Sequence, residues 1–127
     1  MTTLINALAD YFAEASGLVI DTNFYIGADV TESEAGSVVL REIAGSSETE
    51  SHMITRSFQM ACKGNSYMAG LALAETMYAL INHKPGYSAG DVNQPIFYVR
   101  PLSRPTALDR DVVGNYIFVV NFIIKMA

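Results

Sequence analysis

The stretch Val112-Val113-Gly114-Asn115-Tyr116-Ile117-Phe118-Val119-Val120-Asn121-Phe122-Ile123-Ile124-Lys125 decides how the rest of the chain is read. Its β-branched and aromatic content suits a long strand. Gly114, Asn115 and Asn121 interrupt it, and it is too short to cross a bilayer as a helix. Read with period two, Tyr116, Phe118, Val120, Phe122 and Ile124 fill one face. Ile117, Val119 and Ile123 make the opposite face largely apolar as well. Such a strand needs cover on both sides: helices on one, and a second subunit on the other.

Upstream, Ile96–Arg104 reads as the partner strand, joined to the closing strand by a projecting loop over Pro105–Asp111. Met53–Lys63 alternates, with Ile54, Phe58, Met60 and Cys62 on one face and Thr55, Ser57, Gln59 and Lys63 on the other. Arg56 breaks its apolar face, which predicts partial exposure or a carboxylate partner. Ser37–Ile43 is a short β-branched strand, and Phe24–Ile26 pairs at an edge. Two segments carry helical spacing instead. Leu4, Leu8, Tyr11, Phe12 and Ala15 mark the first, with Thr2 or Thr3 as cap and Gly17 as stop. The second runs from about Ser66 to His83, capped by Asn65 or Ser66 and closed at Lys84-Pro85-Gly86. Tyr67, Leu71, Ala74, Tyr78 and Ile81 line its apolar face, widened by Met77 and Leu80.

Helices and strands do not alternate strictly. The expected fold is therefore α+β: a single domain over residues 1–127, mainly antiparallel, with helices packed on one sheet face and a long C-terminal hairpin. Leu71, Tyr78, Phe58 and Phe118 are the expected core. Polar stretches at Asp29–Gly36, Ala44–Ser51 and Pro85–Pro95 separate the elements, the first two carrying Glu32, Glu34, Glu48 and Glu50.

Hydrophobic residues make up 50% of the 127 positions and charged ones 17%, which excludes disorder over most of the length. Eight Lys and Arg against thirteen Asp and Glu give a net charge of −5. That balance argues against broad electrostatic capture of nucleic acid or anionic membrane. The N-terminus carries Asp10 and Glu14 and no basic segment, so it does not read as a secretory signal. Cys62 is the single cysteine, so no intrachain disulfide forms and a reducing compartment is the simplest setting.

The chemistry of catalysis is missing from the pattern. No phosphate-binding glycine loop, nucleophile elbow or metalloprotease motif occurs. One Cys and two distant histidines cannot build a zinc site, and no cofactor is expected. His52 and His83 read as surface residues, and Cys62 as an inert buried thiol. The expectation is a protein that is not an enzyme.

Charge gathers in Asp109-Arg110-Asp111, read as self-compensating at a hairpin tip, with Asp111 holding the turn through its own backbone. Two carboxylates are too few for a calcium loop. Arg100 and Arg104 are expected on one face of their strand, placed for salt bridges to another protein. Arg100 and Arg104 are candidate subunit-interface residues on that reading, and Asp109, Arg110 and Asp111 join them only by their position in the hairpin.

The order of these elements resembles a known family. It comprises the amphipathic helix, Phe24-Tyr25-Ile26-Gly27, Val38-Val39-Leu40-Arg41-Glu42-Ile43, the alternating strand to Lys63 and the Ala-rich helix to Lys84. Pro105-Thr106-Ala107-Leu108-Asp109-Arg110-Asp111, Gly114-Asn115-Tyr116 and a closing strand with Asn121 follow. This resembles the tail terminator and minor capsid (tail-completion) proteins of long-tailed bacteriophages. The resemblance implies a virion subunit, made in the host cytoplasm, that forms a hexameric ring at the head-proximal end of the tail tube. It implies the tail tube protein and the head connector as partners, with DNA passing through the lumen unbound. The acidic balance is compatible with such a lumen. Another neck or head-completion protein is the nearest alternative. A cytoplasmic ligand-binding α+β domain, with a pocket near Tyr67, Tyr78 or Tyr98, is the more distant one.

Overall fold

The computed structural model describes residues 4–27, 35–48, 54–82, 85–87, 96–108, 110–111 and 114–126. Helix α1 (Leu4–Ser16) is followed by strands β1 (Phe24–Ile26), β2 (Val38–Glu48) and β3 (Ile54–Gly64), then helix α2 (Tyr67–Asn82). Strands β4 (Pro85–Tyr87), β5 (Ile96–Pro101), β6 (Thr106–Ala107) and β7 (Tyr116–Met126) complete the chain. One sheet holds all seven strands in the order β1-β2-β3-β7-β5-β4, with β6 also on β7. Among the described strands, β1 pairs with β2 in parallel and the other pairs are antiparallel. The fold is α+β and mostly antiparallel, as the sequence implies.

Both helices lie on one face. Leu8, Ala9, Phe12 and Ala13 of α1 and Ala74, Met77 and Ile81 of α2 pack against Val38, Leu40, Phe58, Met60, Cys62, Phe118, Val120, Phe122 and Ile124. Phe122 stacks on Phe58 at 5.6 Å between centroids and meets Phe12 edge-on at 5.9 Å. Phe58 and Phe118 are buried as expected, while Leu71 and Tyr78 are half-buried at the margin. The apolar stripe of α2 is rotated by about one residue from the expected one, because Gly70 rather than Tyr67 faces the sheet. Tyr67 is 50% exposed and lies edge-on to Phe118. Burial of Cys62 pushes its thiol up to about 12.

Local chemistry sets the ends. The Ala69 amide donates to Ser66 Oγ at 3.1 Å, which caps α2. Gly17 ends α1 with φ +80°, a conformation that favours glycine.

Three boundaries differ from the sequence reading. β2 continues past Ile43 to Glu48, because two irregularities in its register with β3 absorb the Gly/Ser stretch. Pro85–Tyr87 is an edge strand on β5, a place where proline's missing donor is tolerated. The hairpin is interrupted rather than continuous. β5 stops at Pro101, pairing resumes at Thr106–Ala107, and β7 begins at Tyr116 rather than Val112.

Candidate assembly surface

β7 runs down the middle of the sheet, so its alternation assigns every neighbouring side chain to a face. On the side away from the helices its residues are Ile117, Val119, Asn121, Ile123 and Lys125, in register with Lys63, Ala61, Gln59, Ser57 and Thr55 of β3. This face has two unlike halves.

The first half is closed by the chain itself. Val39, Ala61, Ile117 and Val119 are 5% exposed or less, with Tyr25 packed against them. A second subunit is therefore not needed to bury this apolar patch, which corrects the expectation from the sequence. The hairpin tip reaches the same end. Asp111 Oδ2 stands 2.9 Å from Lys63 Nζ, with side-chain exposures of 1% and 0%. Asp111 also accepts from the Asn115 amide at 2.8 Å and from Asn115 Nδ2 at 3.3 Å. Its own amide and carbonyl engage Asn115 and Gly114. The hydrogen bond from Lys63 is the main reason its carboxyl is held down at about 2, and the Asn115 amide adds to it against the opposing effect of burial. Asp111 does hold its turn through the backbone, as read from the sequence. The buried ion pair with Lys63 was missed, since alternation alone places Lys63 among polar neighbours.

The second half of the face is polar. Arg41, Gln59 and Asn121 are consecutive cross-strand neighbours on β2, β3 and β7. Arg41 Nε and Nη2 donate to Gln59 Oε1 at 3.1 and 2.9 Å, and Gln59 Nε2 donates to Asn121 Oδ1 at 3.1 Å. Arg100, in register with Ile123, joins this face from β5, and Lys125 from β7. The row was not legible beforehand because it depends on strand register. Its one sequence signal was Gln59 on the polar side of an alternating strand.

The helix side carries the remaining arginines. Arg56 donates to both oxygens of Glu42 at 2.8 and 2.7 Å, the carboxylate partner its position called for. Those hydrogen bonds, and secondly the guanidinium charge, hold the Glu42 carboxyl below its ordinary value despite partial burial. Arg104 lies over the Tyr78 ring at 5.4 Å. Arg100 and Arg104 are thus on opposite sides of the sheet, contrary to expectation. The cause is the break in the strand: Pro101 ends β5, and residues 102–104 bend before Pro105. Arg110 donates from Nε and Nη2 to Gly114 O and sits 4.4 Å from the Tyr116 centroid. Asp109, His52 and His83 lie outside the described residues.

An open depression of about 270 Å³ beside Gly36, Gly64 and Leu73, and another of about 400 Å³ at Tyr11, Glu14 and Ala15, involve neither Tyr67 nor Tyr78. Among the described residues no helix is long and apolar enough to cross a membrane. A family model described as bacteriophage tail terminator protein matches residues 12–127. No curated protein matches the chain.

Proposed function

From membership of the bacteriophage tail terminator family, to which this chain belongs over residues 12–127, we infer that it assembles into a ring of six at the head-proximal end of the tail tube. There it stops tube growth and joins the tail to the head connector, while DNA passes through the lumen without specific binding. The family is a structural one, and the chain acts by contact rather than by catalysis. Nearly full-length membership is the observation that carries this reading. The number six rests on the family resemblance alone.

Arg100, Arg104 and Arg110 are exposed and supply cations to such contacts. Asp109 belongs with them by its place at the hairpin tip. The Asp111 carboxylate is engaged within the subunit, so it serves assembly by holding the tip in place. Single exposed ion pairs contribute roughly 0–1 kcal/mol each, so ring formation draws on many contacts and is favoured on the tube. Native mass spectrometry of the purified chain, alone and after incubation with tail tubes, tests the reading. Sixfold assemblies support it; a chain that stays monomeric in both settings refutes it.

A further inference from the structure

The two helices and the polar half of the opposite sheet face carry opposite charge, although Arg104 and Arg110 also lie on the helix side, beside Tyr78 and Tyr116. The helices contain no Lys or Arg, and their charged residues Asp10, Glu14 and Glu75 are exposed and acidic. On the polar half of the opposite sheet face, the charged side chains among the described residues are Arg41, Arg100 and Lys125. A chain of net charge −5 has thus kept three of its eight Lys and Arg together on one surface.

The hydrogen bonds make that surface more selective than charge alone. A guanidinium has only donors, so Gln59 must turn Oε1 toward Arg41. Gln59 then offers Nε2 to Asn121, which must answer with Oδ1. Each acceptor in the row is thereby engaged, and Asn121 Nδ2 is left as a donor. A row that presents donors between cations fits a partner rich in carboxylates. Phosphate would satisfy the same donors, but an overall acidic chain repels a polyanion at longer range.

We propose that the sheet face bearing Arg41, Gln59, Asn121, Arg100 and Lys125 is the docking surface for the acidic side chains of the helices, Asp10, Glu14 and Glu75, in a second copy of this chain. The helices supply the complement. Asp10 and Glu14 stand one turn apart on α1, and Glu14 borders the open depression with Tyr11. A carboxylate beside an aromatic ring there suits an incoming arginine. The contact is face to back, hence heterologous, and such contacts end either in a closed ring or in an open filament. This inference rests on the ring reading above and names the surfaces that it would use.

The test uses two full-length variants, Arg41→Glu/Arg100→Glu and Glu14→Lys/Glu75→Lys, with assembly measured at low and high salt, alone and on tail tubes. The first has two acidic surfaces and the second loses its acidic one, so each alone should assemble on the order of tenfold more weakly than wild type. Mixed one to one, they should recover assembly as alternating oligomers, with the recovery reduced at high salt. Since a misfolded variant could not recover on mixing, mixing also controls for folding. If wild type assembles and both variants assemble equally well, the docking assignment falls and the ring stands. If wild type stays monomeric even on tubes, the ring reading itself falls. If the arginine variant loses binding to short duplex DNA while self-assembly is unchanged, the face serves phosphates and the proposal is overturned.

Discussion

Replacing Gly64 by alanine tests a close backbone approach, where the end of β3 meets the start of α2. A Cβ at Gly64 would lie 2.2 Å from the Gly70 nitrogen, 2.5 Å from its Cα and 2.8 Å from the Ala69 carbonyl carbon. All three are backbone atoms, so no side chain can swing away. Strand and helix must part by roughly 1 Å, and overpacking of this kind costs about 1–3 kcal/mol. The backbone obstruction puts Gly64→Ala at the upper end, about 3 kcal/mol. With an unfolding entropy of about 2.1 cal/mol/K per residue, the chain loses roughly 4 °C of Tm per kcal/mol, so the variant should melt roughly 11 °C lower. Gly70→Ala is the matched control. Its Cβ would meet Phe118 Cδ2 at 3.0 Å, a ring atom able to shift, and alanine gains about 1 kcal/mol of helix propensity. Its melting point should move by only a few degrees, about a third of the Gly64 effect or less. Thermal melts followed by circular dichroism decide the matter. A Gly64→Ala chain within about 2 °C of wild type, or one more stable than Gly70→Ala, refutes the close packing of β3 on α2.

Three further outcomes follow from the packing and the ion pair. Phe122→Ala removes a ring buried between Phe12 and Phe58 and should cost about 3–5 kcal/mol, lowering Tm by more than roughly 10 °C. An unchanged melting point would contradict the central position of β7. The Asp111 carboxyl is lowered from 3.8 to about 2, so folding favours its ionised form. The hairpin tip is then fully stabilised above the unfolded value and loosens as pH falls from about 4 through about 2. Hydrogen exchange at the Asn115 amide should accelerate over that window beyond its intrinsic pH dependence, and Asp111→Asn should abolish the transition. Cys62 should react with a thiol reagent only on unfolding, since its thiol is buried and raised to about 12; rapid labelling of the native chain would contradict this.

Much of the fold is legible in short-range pattern. Ser66 is a cap because its oxygen answers a free helix amide, and Gly17 is a stop because its φ is positive. Alternation in β3 and β7 placed Phe58, Met60, Phe118 and Val120 together on the core side. Arg56 on an apolar face implied partial exposure or a carboxylate partner, and it has both, with Glu42 as the partner. What stayed hidden depends on contacts distant along the chain. Lys63 and Asp111 meet only because the hairpin tip reaches the end of β3. The Arg41–Gln59–Asn121 row needs the register of three strands, which residue types do not encode. Arg104 left the face of Arg100 because pairing breaks after Pro101, whereas a continuous strand would have kept them together. The apolar back of β7 suggested a missing partner, yet half of it is closed within the chain.

The most direct test of the account is to add the purified chain to polymerising tail-tube protein and image the products by electron microscopy, scoring tube length and tube ends. A terminator of the proposed kind stops growth at the head-proximal end and caps it with a ring of six subunits. Tubes that grow to the same lengths with bare ends, at concentrations where the chain is folded and in excess, would contradict that role.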